Sequence, residues 1–307
     1  MSVDLSVVVP AYNEEESLPE LMARLAQVLE PSGMTWEVVV IDDGSTDRTY
    51  EVLKELAPKY PQLRFKSFLR NQGKSPGLNV GFKEARGRFI VTMDADLQDD
   101  PNEIPALLAK LEEGYDLVSG WKRVRHDPVS KTLPSKLFNV VTGQVAGIKL
   151  HDFNCGLKAY RGHVARGLPI YGEMHRFLPA LAHWQGYRVT EIPVLHHARK
   201  YGTSKFGPSR FINGFLDLLT VTFVHSGRTS PLHFFGRIGM VLGAVGLVIF
   251  GAFVLSWLLG QGVRIRPIFI IGLILILLAM QFISLGLLGE LVVKGQKQPD
   301  YEFREDA

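Results

Sequence analysis

The sequence predicts an α/β protein, a mostly parallel, doubly wound sheet followed by a two-helix membrane hairpin. Three observations carry that expectation. Short β-branched runs alternate with helical spacing over the first 120 residues. Acidic and amide residues gather just after those runs, and two long uncharged stretches lie near the end of the chain. Alternating strand and helix is the pattern of parallel sheets, whose strands are covered on both faces.

Residues 5–9 (LSVVV) read as a strand buried on both faces. Within 16–29, Leu18, Leu21, Met22, Leu25 and Leu29 recur at helical spacing, and Pro31, Ser32 and Gly33 stop that helix. Trp36 to Ile41 is a second strand and Asp47 to Leu56 a second helix, with Asp47 placed to cap it. A strand at 64–68, a helix at 76–85, a strand at 88–93, a helix at 101–113 and a strand at 116–119 follow. Tyr171 to Ala182 reads as a helix packed on the sheet. Residues 206–224 set Phe206, Phe211, Phe215, Leu218 and Leu219 on amphipathic segments suited to a membrane interface.

The two uncharged stretches, Ile238 to Val263 and Pro267 to Gly289, are 26 and 23 residues long. About 20 helical residues cross a bilayer core, so each is long enough. Only Arg264 to Arg266 lie between them, which implies a tight hairpin with both ends on one side. Gly239 and Gly243 form a G-x-x-x-G that suits helix packing, and self-association into a homo-oligomer stays open. Val3 to Val9 is too short for a signal peptide, so the catalytic part is expected on the cytoplasmic side of the inner membrane. The organisation read from this is residues 1–205 as the catalytic domain, 206–235 as juxtamembrane helices, 236–290 as two membrane helices, and 291–307 as a cytoplasmic tail.

Composition excludes other classes. Among 307 residues, 34 Lys+Arg stand against 31 Asp+Glu, too even a balance for a nucleic-acid protein. The lone Cys155 rules out an intramolecular disulfide framework. An apolar content of 46% against 21% charged residues argues against disorder.

The chemistry lies after the strands. Tyr12, Asn13 and Glu14 follow strand one, Asp42 and Asp43 close strand two, and Asp94 and Asp96 follow strand four. In open α/β sheets this carboxyl edge forms the ligand crevice. Neither GxGxxG after strand one nor GxxxxGK[ST] occurs, so phosphates are not cradled by a glycine-rich loop. In extended chain, residues two apart face the same way, so Asp94, Asp96 and Gln98 can offer oxygen to one Mg²⁺ or Mn²⁺. Residues 121–136 carry five Lys/Arg against one Asp, and Arg199, Lys200 and Lys205 cluster later, a supply of cations for phosphates. The histidines show no regular metal spacing and read as surface or hydrogen-bonded residues.

The set VVVPAYNEEESL (7–18), VVIDDGSTDRT (39–49), NQGKSPGLNVGF (71–82) and MDADLQDDP (93–101) resembles the family 2 inverting glycosyltransferases of GT-A (Rossmann-like) fold. Lys131-x₃-Ser135-x₃-Asn139, Asp152-x₂-Cys155-Gly156-x-Lys158 and Arg199-x₂-Gly202-x-Ser204-Lys205, ahead of a two-helix anchor, are similar to the polyisoprenyl-phosphate glycosyltransferases among them. The resemblance implies that Pro10, Ala11, Tyr12, Glu14, Asp42, Lys74, Asp94 and Ala95 hold the nucleotide-sugar, with Asp42 reading the base. It implies metal ligation by Asp94, Asp96 and Gln98, and closure over the donor phosphates by Arg199, Ser204 and Lys205. Lys122, Lys131 and Ser135 would meet the acceptor phosphate, with Asp152 and Asp96 at the reacting centre. Lys stands at 122 and 131 where Arg is usual, so the bidentate fork is missing.

The expected activity is metal-dependent transfer of one sugar to an undecaprenyl-type phosphate in the membrane, with inversion. UDP-glucose or another UDP-sugar is the expected donor, because DFNCGLKAYRG and GEMHRFLP are closer to the bacterial transferases, and GDP-mannose is the second choice. A processive polysaccharide synthase would need more membrane helices and a QxxRW segment, and a nucleotidyltransferase a GxGxR-type loop; neither motif is present. An inactive lipid- or nucleotide-sugar-binding scaffold is the reading outside enzymology, against which Asp94, Asp96, Asp152 and Lys205 all speak.

Overall fold

The computed structural model describes residues 3–123, 139–170, 174–198, 200, 231–260 and 267–295. The chain divides into two compact units, Met1–Val221 and Thr222–Ala307. Lys131, Ser135, Arg199, Ser204, Lys205 and the 206–224 segment lie outside the described residues.

The first unit is built on strands β1 (Leu5–Ala11), β2 (Trp36–Asp42), β3 (Leu63–Ser67), β4 (Phe89–Thr92), β5 (Leu117–Lys122), β6 (Lys158–Arg161) and β7 (Val189–Val194). They form one sheet in the order β3-β2-β1-β4-β6-β5-β7. Every strand pair is parallel except those made by β6, which runs antiparallel to both β4 and β5. The mostly parallel, doubly wound sheet expected from the alternation is therefore present, with one reversed strand inserted.

Alternating side chains of β1 explain why its sequence is apolar but for Ser6. Leu5, Val7 and Val9 join one core with α1 (Leu18–Leu29), α2 (Thr49–Leu56) and α4 (Ile104–Glu112). Val8 joins the opposite core with α3 (Lys74–Glu84), α5 (Gly162–Gly167) and α6 (Leu178–Trp184). A smaller cluster of Ala146, Phe153, Met174, Phe177 and Ala180 packs the helical residues 139–146 against the 153 loop.

Several boundaries differ from expectation, each for a local reason. Helix α3 starts at Lys74, two residues before Pro76, because Pro is well tolerated in a first turn. Strand β5 runs on to Lys122, three residues past Ser119, since it pairs with β7 up to Lys122↔Val194. The described part of the 171–182 stretch is a 3₁₀ turn at Met174–Phe177 followed by α6, with Pro179 in the helix's first turn. Asp47 precedes rather than opens α2, but its Oδ1 still accepts from Thr49 N at 3.0 Å.

In the second unit, α7 (Pro231–Leu258) and α8 (Pro267–Gly295) pair along small residues. A Cβ added at Gly239 would lie 2.9 Å from the Ala279 carbonyl oxygen, and one at Gly246 2.9 Å from that of Gly272. The G-x-x-x-G thus faces a helix of the same chain, where small residues let backbones approach. Both helices are long and apolar enough to cross a membrane, and only 11% of each apolar window is buried.

The tightest helix-to-sheet approach in the first unit is α3 on β1, where any Cβ at Gly81 would run into the Val8 side chain. Gly81→Val is expected to destabilise that unit by about 1–3 kcal/mol through overpacking. Thermal unfolding of the full chain in detergent checks it.

Candidate active site

The site grows from the way β4 ends. After Thr92 the chain leaves the sheet and turns at 95–97, with Leu97 at a φ of 61°. Ala95 and Leu97 drop into the core while Asp94, Asp96 and Gln98 stay half-buried on the other side. Strand parity read from sequence is thus kept through the turn. Asp96 accepts Gln98 N at 3.2 Å, and the Gln98 amide nitrogen lies 3.4 Å from the His197 carbonyl oxygen.

Neighbouring strand ends bring the other groups. Asp42, at the end of β2, is fully buried and accepts hydroxyl hydrogen bonds from Ser45 and Ser67. Pro10 and Ala11 end β1, and Ala11 pairs with Asp42 in register. Tyr12 and Glu14 follow, with Glu14 accepting from the Ser17 hydroxyl at 2.7 Å. Asp43 accepts from the backbone of Gln72 (2.7 Å) and Gly73 (2.9 Å). This fixes the start of α3, and Lys74 in its first turn forms an ion pair with Asp94.

Lys122, at the tip of β5, reaches the same place with its side chain 16% exposed and its ammonium 3.3 Å from Asp99 Oδ1. Asp152 is buried and accepts Asn154 N at 3.0 Å, holding the 152–156 loop. Gly156 comes so close to the acidic groups that a Cβ there would lie 2.6 Å from Asp94 Oδ2 and 2.9 Å from Asp99 Oδ2. A small cleft results, bordered by Pro10, Lys74, Asp94, Asn154, Gly156, Lys158 and His175.

Charge compensation decides the protonation states. Burial alone would raise the Asp94 pKa, but Lys74 beside it, with Lys122 and Lys158 behind, holds its carboxyl well below the usual carboxylate range. Burial disfavours the Lys122 ammonium too, yet Asp99, Cys155, Asp94 and Asp152 together raise its pKa well above the ordinary lysine value. Burial pushes the Cys155 thiol up to about 12, so it is an inert packing group.

Of the residues expected from sequence, Asp94, Lys74, Lys122 and Asp152 come together at this edge, Asp96 and Gln98 follow in the next turn, and Pro10, Ala11, Tyr12, Glu14 and Asp42 lie along the adjoining strands. Sequence reasoning passed over Asp99, Lys158 and His175. Lys158 is 3% exposed and bonds to the Cys155 carbonyl. His175 was grouped with the hydrogen-bonded histidines, and its Nδ1 does lie 3.0 Å from Ser75 Oγ. The signal available for Lys158 was its place in Cys155-Gly156-x-Lys158; His175 offered none.

Two carboxylates and an amide oxygen on one face are hard donors of the kind Mg²⁺ or Mn²⁺ takes while keeping waters or phosphate oxygens. Among the described residues, no three His, Cys, Asp or Glu side chains gather as a metal group. Asp94, Asp96 and Gln98 fit such an ion by the chemistry of their oxygen donors and by their alternate placement after β4.

Residues 6–167 match the family model described as glycosyl transferase family 2. The chain belongs to that family. It is 38% identical over 99% of its length to a dodecaprenyl-phosphate galacturonate synthase of Rhizobium johnstonii, covering 93% of that protein. It is also 38% identical to an undecaprenyl-phosphate 4-deoxy-4-formamido-L-arabinose transferase of Shewanella sediminis, over 94% of this chain and 86% of that one. Both names agree with the polyisoprenyl-phosphate subgroup whose motifs the sequence carries. Among solved structures, glucosyl-3-phosphoglycerate synthase of Mycobacterium tuberculosis, crystallised with Mn²⁺, UDP-glucose and phosphoglyceric acid, matches with a TM-score of 0.57 at 20% identity, over 72% of this chain and 80% of that one. That likeness shows the fold, and this member of family 2 is a glycosyltransferase of GT-A architecture.

Burial first, then Lys74 and Arg176, push the His175 pKa well below its ordinary 6.5. The folded protein keeps this imidazole neutral while the unfolded chain takes up a proton as pH falls. Stability is thus lost on acidification below about pH 6.5, by up to ~1.4 kcal/mol per pH unit. His175→Gln is expected to flatten that slope between about pH 6.5 and 5, as read from unfolding midpoints.

Proposed function

We propose that this glycosyltransferase moves one sugar from a UDP-sugar to a polyisoprenyl phosphate at the cytoplasmic face of the inner membrane. One observation carries the reading: Asp94, Lys74 and Lys122 converge at the sheet's carboxyl edge in a chain that also has two membrane-length helices. Paired phosphate groups need such cations, and a lipid acceptor needs the membrane. The relatives named for dodecaprenyl- and undecaprenyl-phosphate support the acceptor class over nearly the full chain. Their sugars are a galacturonate and a formamido-arabinose, so the reading commits to the nucleotide-sugar class and not to glucose.

Asp94, Asp96 and Gln98 would hold the Mg²⁺ or Mn²⁺, which when bound supplies positive charge to a departing diphosphate. The rest falls to the chain's own residues. Pro10, Ala11, Tyr12, Glu14 and Asp42 line the nucleotide side of the edge, and Lys74 stands by to neutralise donor phosphate charge. Lys122 presents a permanently charged ammonium to the acceptor phosphate. Lys131 and Ser135 on the acceptor side, and Arg199, Ser204 and Lys205 on the donor side, complete the assignment.

An acceptor phosphate oxygen is already ionised near neutral pH, so a strong general base is not required. Asp152 suits this economy. Its carboxylate holds the Asn154 backbone and adds negative charge beside Lys122, which makes it an orienter of the loop and cation. Attack in line with the departing diphosphate inverts the anomeric centre, and the main catalytic terms are orientation and electrostatic stabilisation.

The function is tested by incubating full-length protein in neutral detergent with short-chain polyprenyl phosphate, Mg²⁺ or Mn²⁺, and a panel of UDP- and GDP-sugars. Polyprenyl-phosphate sugar formed from a UDP-sugar is expected; product from GDP-mannose alone would overturn the donor class. Asp94→Asn and Asp96→Asn are each expected to lower kcat by about a hundredfold or more while folding normally. EDTA should do the same reversibly, and Mn²⁺ binding to both variants should weaken in parallel.

A further inference from the structure

Asp99 is a buried carboxylate beside the cleft that the proposed mechanism leaves unused. Its side chain is 1% exposed, and neither oxygen makes a hydrogen bond of good geometry among the described residues. A buried carboxylate in that condition is costly unless a cation compensates it. Among the described residues the lysine beside it is Lys122, at 3.3 Å from Oδ1. His196 stands 3.9 Å from the same oxygen, but its Nδ1 is 3.1 Å from the Gln98 carbonyl oxygen, which occupies it.

The backbone at Asp99 is pinned from outside. Asp99 pairs with His196 in an isolated antiparallel bridge, and His197 N donates to the Gln98 carbonyl oxygen at 2.8 Å. The carboxylate is thus carried by the chain following β7 as well as by the metal-site turn. On the cleft side, Gly156 leaves room for Asp94 and Asp99 to approach the same spot. Lys122 therefore faces two acidic groups, and which one holds it matters.

We propose that Asp99 is the positioning residue that holds the Lys122 ammonium for the acceptor phosphate and keeps it off Asp94. A lysine ammonium is a point charge with freely rotating donors, unlike the rigid fork of an arginine. Asp99 supplies the fixed direction that the side chain lacks. It also leaves Asp94 to the donor side of the site. The inference rests on the reading of Lys122 as an acceptor-phosphate cation.

The test is a double-mutant cycle on the full chain in neutral detergent, with short-chain polyprenyl phosphate and the nucleotide-sugar that the wild type uses. Asp99→Asn and Lys122→Met each raise the acceptor KM roughly tenfold or more, with donor KM changed by less than about twofold. The double variant is no worse than the weaker single by more than about twofold, because the two act as a unit. Asp99→Glu, which restores charge on a longer stem, recovers part of the loss. Should Asp99→Asn not fold, Asp99→Glu carries the same test, since displacing the carboxylate still raises acceptor KM alone. A merely structural ion pair would lower the unfolding temperature and disturb both KM values alike. That result, multiplicative losses in the double variant, or an unchanged acceptor KM in Asp99→Asn would overturn the inference while Lys122 keeps its role. An unchanged acceptor KM in Lys122→Met would instead remove the reading of Lys122, and the inference with it.

Discussion

Three lysines and three aspartates, buried or half-buried, meet at the carboxyl edge of the sheet: Lys74, Lys122 and Lys158 with Asp94, Asp99 and Asp152. Any one of them alone would be expelled or neutralised by burial. Together they are tolerable, and this mutual compensation constrains each segment that contributes a member. The members come from the first turn of α3, the tip of β5 and the 152–158 segment. The same balance is open to change by ligands. A divalent ion and a diphosphate add charge of both signs, so the cluster can exchange internal pairs for external ones without large net cost.

The central sheet was readable because its strands are covered on both faces. LSVVV and WEVVVI are apolar but for Ser6 and Glu37, which hydrogen-bond to each other, and both are buried end to end. Strands β6 and β7 were not. Lys158–Arg161 is four residues long with a charged residue at each end, and Val189–Val194 carries Thr190, Glu191 and Pro193, so neither gives an apolar run. Their places are set by partners far away in sequence, as tertiary context overrides local preference. The reversed strand β6 in particular follows from its pairing with both β4 and β5, which no local pattern encodes.

The site divides in the same way. The period of two sets Asp94, Asp96 and Gln98 apart from Ala95 and Leu97, and only the latter two are buried in the core. Asp99 looked like one more carboxylate in a run of loop acids, because its meaning depends on Lys122 and His196, 23 and 97 residues further on. His175 is a similar case. Its neutrality comes from burial and from Lys74 a hundred residues away, neither of which a single histidine in GEMHRFLP announces.

The anchor and the catalytic edge obey opposite rules of burial. On α7 and α8 the small residues face each other and the large apolar ones face outward, with Val248 and Leu258 about 70% exposed. In water that surface would drive association; in lipid it is the natural solvent contact. At the sheet edge the converse holds, since charge is drawn inward and kept there by counter-charge. An acceptor with an isoprenoid chain and a phosphate head has the same two-sided character. A chain that must meet both ends of such a molecule gains from separating the two tasks: membrane helices need carry almost no charge, and the α/β unit need present no apolar surface for lipid at its reacting centre. Under the proposed function only the polar head of such an acceptor needs to meet charged groups, and the edge is built from ammonium groups and carboxylates.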